Sequence, residues 1–103
     1  MIEVRIGDST RDISNADPGW INEQINRRNA VGVSVCIQVV FNTGTLNFGL
    51  STSTCSRTGG GVSRPFNTQE SEIINLWDKA HLNSNDFTSG NLVAFIKQLK
   101  HFL

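Results

Sequence analysis

The last third of the chain constrains the fold most. Asn67–Leu103 reads as two capped amphipathic helices joined by a short polar link from His81 to Asp86. In the second helix, Leu92, Phe95, Ile96, Leu99 and Leu103 follow the i, i+3, i+4, i+7, i+11 spacing of one apolar stripe. A stripe of this kind must be buried, either on the rest of the domain or on another chain. Both helices carry start signals. Asn67 and Glu70 fit a capping box, in which each side chain satisfies the other residue's free backbone N–H. Thr88 is the cap of the last helix, with Phe87 placed to pack on Leu92 as a hydrophobic staple. The apolar face of the first of the pair is Ile73, Leu76, Trp77 and Ala80.

The first two-thirds read as sheet with one helix. Ile2, Val4 and Ile6 alternate with Glu3 and Arg5, the pattern of a half-buried strand, and Gly7–Thr10 reads as the turn that ends it. Asp17-Pro18 begins a helix, because Asp accepts from free N–H groups at the cap and Pro lacks the donor that would go unused. That helix is expected to end near Arg28, burying Trp20, Ile21 and Ile25. From Val31 to Phe41 apolar residues recur at every second position, the strongest strand signal in the chain. Asn42–Thr45 supplies a turn, and Leu46, Phe48 and Leu50 form the return strand of a hairpin.

The order is therefore β-α-β-β-α-α in a single domain spanning residues 1–103. This is a two-layer α+β fold: a small mixed or antiparallel sheet of about three strands, with helices packed on one face. The two strands flanking the first helix are expected to be parallel neighbours through a right-handed crossover. Open sheet edges would make a homodimer by sheet extension feasible.

Composition excludes several classes. Formal charge is zero, so no global field draws the chain to nucleic acid, and the exposed strand positions offer neither stacking aromatics nor lysines. No apolar run spans a bilayer, and the first residues lack the basic flank and apolar core of a signal peptide. A cytoplasmic location follows as the expectation. Cys36 and Cys55 are then expected to be reduced thiols, with a disulfide left open because sequence does not set the separation of the two backbones. Two His and two Cys without ligand spacing imply no metal site and no cofactor.

Two candidate sites emerge. No acidic residue lies between Glu23 and Glu70, and within that stretch Arg57 and Arg64 flank Gly59, Gly60 and Gly61. Backbone N–H groups and two guanidiniums could hold an anion or a small molecule there, although no Lys-Ser/Thr follows to make a P-loop. The competing interpretation is a linker between sheet and helices. The second site is the C-terminal unit, with Trp77, Phe95, Leu99, Phe102 and Leu103 as partner-binding residues. Phe102 lies off the main stripe and, with Leu103, forms an apolar tip. A thiol–imidazole pair from Cys36 or Cys55 with His81 or His101 has no support in the spacing, so no catalytic residue is assigned and an enzyme is not expected.

The stretch from Phe66-Asn67-Thr68-Gln69-Glu70 through Leu76-Trp77, then Leu82-Asn83, Asp86-Phe87 and Gly90–Phe95, resembles small bacterial proteins carried on mobile gene cassettes of the integron type. It also resembles short adaptor domains of bacterial conflict systems. The likeness covers about the last third and implies an accessory or interaction role with no catalytic residue. The expected function is a non-enzymatic protein–protein interaction module, working on a protein partner or by self-association. Anion or small-molecule binding by the Gly-rich loop is the alternative.

Overall fold

The computed structural model describes residues 1–55, 65–84 and 86–103. The architecture is α+β, with a four-stranded antiparallel sheet covered on one face by helices. Strands are β1 (Ile2–Ile6), β2 (Ser9–Asp12), β3 (Ile37–Asn42) and β4 (Asn47–Ser51), ordered β2-β1-β3-β4. Helices are α1 (Pro18–Ala30), α2 (Thr68–Lys79) and α3 (Ser89–Phe102).

The sheet has one strand more than its sequence pattern suggests. Gly7–Thr10 reads as a turn in the sequence, yet Ser9-Thr10-Arg11-Asp12 pairs antiparallel with β1. It carries no period-2 apolar signal because it is an outer strand with no buried residue on either face. The turn itself is the two residues Gly7 and Asp8, with Gly7 at φ +61°, as the first central position of a II′ hairpin turn requires.

β2 also overturns the expected parallel crossover. It reverses the chain once more before α1, so β3 arrives antiparallel to β1, with Val4 opposite Val39. A second correction concerns the long alternating stretch. α1 continues to Ala30 and closes at Gly32 (φ +73°), where the Gly32 and Val33 N–H groups donate to Asn29 O and Arg28 O. Val31 and Val33 are exposed in that closing turn, and β3 begins only at Ile37.

Within the sheet, alternate residues point to the helices. Ile37, Val39 and Phe41 are buried, as are Val4 and Ile6 on one side and Phe48 and Leu50 on the other. Phe41 and Phe48 face each other across the pair with rings stacked 4.7 Å apart. The helices return Trp20, Ile21 and Ile25 from α1, Ile73 and Trp77 from α2, and Leu92, Phe95, Ile96 and Leu99 from α3. The stripe of the last helix is thus buried on its own domain, except for Leu103, which is half exposed.

The helix ends follow their signals. Asp17 accepts from Trp20 N, and Asn67 with Glu70 forms the reciprocal box. Thr88 does the same with Asn91. α2 ends in a double closure: His81 N–H donates to Asp78 O and Leu82 N–H to Trp77 O. This delivers Leu82 into the core and places His81 at φ 59°, a conformation in which glycine is unstrained and histidine is not.

The expectation of two reduced thiols is overturned. Cys36 and Cys55 form a disulfide across the open end of the β3–β4 hairpin. Beyond β4, Thr52 is buried and its N–H donates to Ile37 O. Its hydroxyl accepts from Ile37 N at 3.1 Å and contacts Thr54, whose own hydroxyl donates to Val35 O. A turn at Thr52 then carries Cys55 back to Cys36. No sequence spacing encodes that turn, which is why the bond was not derivable beforehand.

Removing the cross-link with Cys36→Ala and Cys55→Ala should lower unfolding free energy by about 2–4 kcal/mol in urea titration. His81→Gly should act in the other direction, raising stability by about 0.5–1 kcal/mol in the same assay, because it relieves a left-handed backbone without touching the core.

Candidate functional site

The two outer strands of the sheet are built differently. β2 is short and carries charge, and it is tied down from several sides. Ser9 Oγ donates to Gln24 Oε1 at 2.9 Å, and the Arg11 guanidinium lies 5.1 Å from the Trp20 ring centre. Arg28 reaches over the turn, donating to Asp8 Oδ1 at 2.5 Å and to Gln24 O at 3.0 Å. This contact holds the Asp8 carboxyl below its ordinary value of 3.8, the hydrogen bond from Arg28 being the largest cause. Charge and side-chain cover of this kind discourage another strand from pairing there.

β4 carries no such charge, and its side-chain tie runs inward, with Gln38 Nε2 donating to Ser51 Oγ at 3.3 Å. Asn47-Phe48-Gly49-Leu50-Ser51 contains no charged residue and no proline. Its backbone directions follow from the ladder. Thr43 N–H donates to Leu46 O and Thr52 N–H to Ile37 O, so the period-2 alternation makes Phe41/Phe48 and Val39/Leu50 the hydrogen-bonded pairs. The N–H and C=O groups of Asn47, Gly49 and Ser51 therefore point away from β3. Among the described residues no strand pairs with that side.

Beside this edge, on the helix side, lies an open trough of about 470 Å³. Gly49–Ser53 form one wall, and Phe66, Ile74, Trp77, Asp78 and Asn83 the others. Phe66 is 46 % exposed and meets Phe48 edge to face at 6.2 Å. On the opposite, helix-free face, a somewhat smaller depression of about 400 Å³ runs across Arg5, Gln38 and Val40 to Gly49.

The residues singled out from sequence fall in three places. Arg57, Gly59, Gly60, Gly61 and Arg64 lie outside the described residues. Trp77, Phe95 and Leu99 are core residues, none more than 2 % exposed. Trp77 packs edge-on against Phe95 at 5.2 Å and donates from its indole to Asn83 Oδ1 at 2.9 Å, so it reaches the trough only as part of its floor. Phe102 and Leu103 remain exposed at the end of α3, where Phe102 borders a cleft with Leu76 and Lys79 of α2. The structure brings none of these outer residues to the trough.

Sequence reasoning missed the β4 edge and Phe66. The signal for β4 was present in its lack of charge and proline, but which strand lies outermost depends on sheet order. Phe66 directly precedes the Asn67 cap and belongs to no periodic face.

Among the described residues no group of three His, Cys, Asp or Glu side chains could hold a metal ion, and no helix is long and apolar enough to cross a membrane. The disulfide occupies both sulfurs, leaving no thiolate to pair with His81 or His101. No protein-family model, curated protein or solved structure matches the chain.

The Arg28–Asp8 contact predicts a pH dependence. Because the folded state lowers the Asp8 pKa, its contribution is complete above the ordinary value of 3.8 and is lost as pH falls through the folded value. Urea midpoints measured on acidification should fall less steeply for Asp8→Asn than for the native chain. Identical slopes would show that the exposed carboxylate contributes nothing.

Proposed function

We propose that the chain is a non-enzymatic protein-interaction module that docks through the outer edge of β4. One observation carries this reading: an uncharged strand presents the backbone groups of Asn47, Gly49 and Ser51 outward, beside an apolar trough and the half-exposed Phe66. Strand addition uses these two elements together, with backbone hydrogen bonds for affinity and a neighbouring pocket for selected side chains. The docking surface moves accordingly from Phe95 and Leu99 to β4 and Phe66. The likeness to mobile-cassette proteins agrees with an accessory role of this kind.

The disulfide weighs against the cytoplasmic location expected from sequence, since cytosolic thiols are kept reduced. We place the working chain in an oxidising compartment. Anion binding by Arg57, Gly59–Gly61 and Arg64 is a second reading. It rests on the absence of acidic residues between Glu23 and Glu70.

Selection of extended peptides from a random display library separates the two. Selected peptides should bind the native chain and lose at least about tenfold in affinity, about 1.4 kcal/mol, with Ser51→Pro. That substitution removes an outward N–H at the end of β4 and is checked for native melting. Peptides that bind both chains equally, or a library that yields none, overturn docking at β4. Inorganic phosphate at 100 times its dissociation constant should stabilise an anion site by about 2.7 kcal/mol. A melting shift of that kind, absent from Arg57→Ala/Arg64→Ala, would favour the second reading.

A further inference from the structure

We infer that the strand docking on β4 is β4 of a second copy of this chain, antiparallel across a two-fold axis at Gly49. The inference rests on the interaction reading above and names its partner.

The argument is self-complementarity. A two-fold axis between antiparallel strands requires a sequence whose chemistry matches its own reverse. Asn47-Phe48-Gly49-Leu50-Ser51 does so about its centre. With Gly49 opposite Gly49, Asn47 meets Ser51 of the second copy on the helix-free face, and both side chains form hydrogen bonds. Phe48 meets Leu50 on the helix-covered face, and both are apolar. No like charges are opposed, because the strand has no charges.

Backbone direction is satisfied by the same register, and strand overlap favours it. Asn47, Gly49 and Ser51 point their N–H and C=O groups outward, so an axis at Gly49 makes Gly49/Gly49 and both Asn47/Ser51 pairs hydrogen-bonded. The same axis pairs all five residues of the strand. Centring the axis on Phe48 or Leu50 shortens the overlap and opposes Gly49 with Asn47 or Ser51.

Phe66 adds a second contact. It sits at the Phe48 end of the edge, and the two-fold places that end opposite the Leu50 end of the other copy's trough. Each copy thus offers an exposed ring toward the other's open trough, so the apolar contact is reciprocal. The product is one continuous eight-stranded sheet, twice the four strands of each copy, with β2 of each copy at its two outer ends.

Sedimentation of the full oxidised chain should show a reversible monomer–dimer equilibrium. Gly49→Lys would place two ammonium groups on the axis and should give a monomer. A side chain at this position meets only Val39 O, at an ordinary 3.7 Å, so the fold tolerates it. Cysteine trapping is an independent test. A hydrogen-bonded antiparallel pair holds its Cα atoms about 5.5 Å apart, within disulfide range. Gly49→Cys should therefore cross-link to itself under mild oxidation. Asn47→Cys should cross-link only when mixed with Ser51→Cys.

A native chain that stays monomeric to millimolar concentration overturns the inference, as does an Asn47→Cys chain that cross-links to itself as readily as Gly49→Cys. A monomer whose edge still selects peptides in a Ser51-dependent way overturns the second copy and leaves docking at β4 standing. A monomer that selects none overturns both.

Discussion

Everything in this fold is referred to β3. It pairs with β1 on one side and β4 on the other, and it places Ile37, Val39 and Phe41 under the helices with almost no exposure. A one-residue slip of this strand would turn all three side chains to the opposite face. Its register is therefore held by burial, and both neighbours inherit it. The buried Thr52 and the Cys36–Cys55 bond secure the end of the hairpin where β3 begins. The capped helices then have a fixed surface to pack on.

The two outer strands show how differently a small sheet can treat its edges. β2 is fixed by side chains: Gln24, Arg28 and the Trp20 ring reach it from α1, and Arg11 and Asp12 carry charge along it. β4 has β3 as its inner neighbour and Phe66 beside it, and among the described residues no strand pairs with its outward backbone groups. The asymmetry leaves one edge charged and tied to a helix, and the other uncharged and forming one wall of a trough.

The parts of the structure readable from sequence are those governed by local chemistry. Asp17-Pro18, the Asn67–Glu70 box and Thr88 mark helix starts because the capping partners are three residues away. The β3–β4 hairpin and the buried stripe of α3 were legible for a similar reason, since periodicity reports burial directly. What escaped was set by contacts distant in sequence. β2 buries nothing, so it leaves no periodic trace, and missing it reversed the inferred direction of β3. Val31 and Val33 imitate a strand while closing a helix. The site suffered most: Phe95 and Leu99 look like an interaction face in isolation but are consumed by the domain, whereas β4 becomes an edge only once the order β2-β1-β3-β4 is known.

The turn between β1 and β2 constrains how this chain can vary. A Cβ at Gly7 would lie 2.3 Å from Arg28 Nε, in a backbone conformation already unfavourable for other residues. Arg28 in turn binds Asp8 and the Gln24 carbonyl, and it occupies the space a side chain at position 7 would need. Positions 7 and 28 are consequently not independent, though they stand in different elements. A side chain at position 7 would push the flexible end of Arg28 aside and out of its contacts with Asp8 and the Gln24 carbonyl. Loss of Gly7 would therefore cost twice, once in the left-handed backbone of the turn and once in the tie that Arg28 makes from helix to turn.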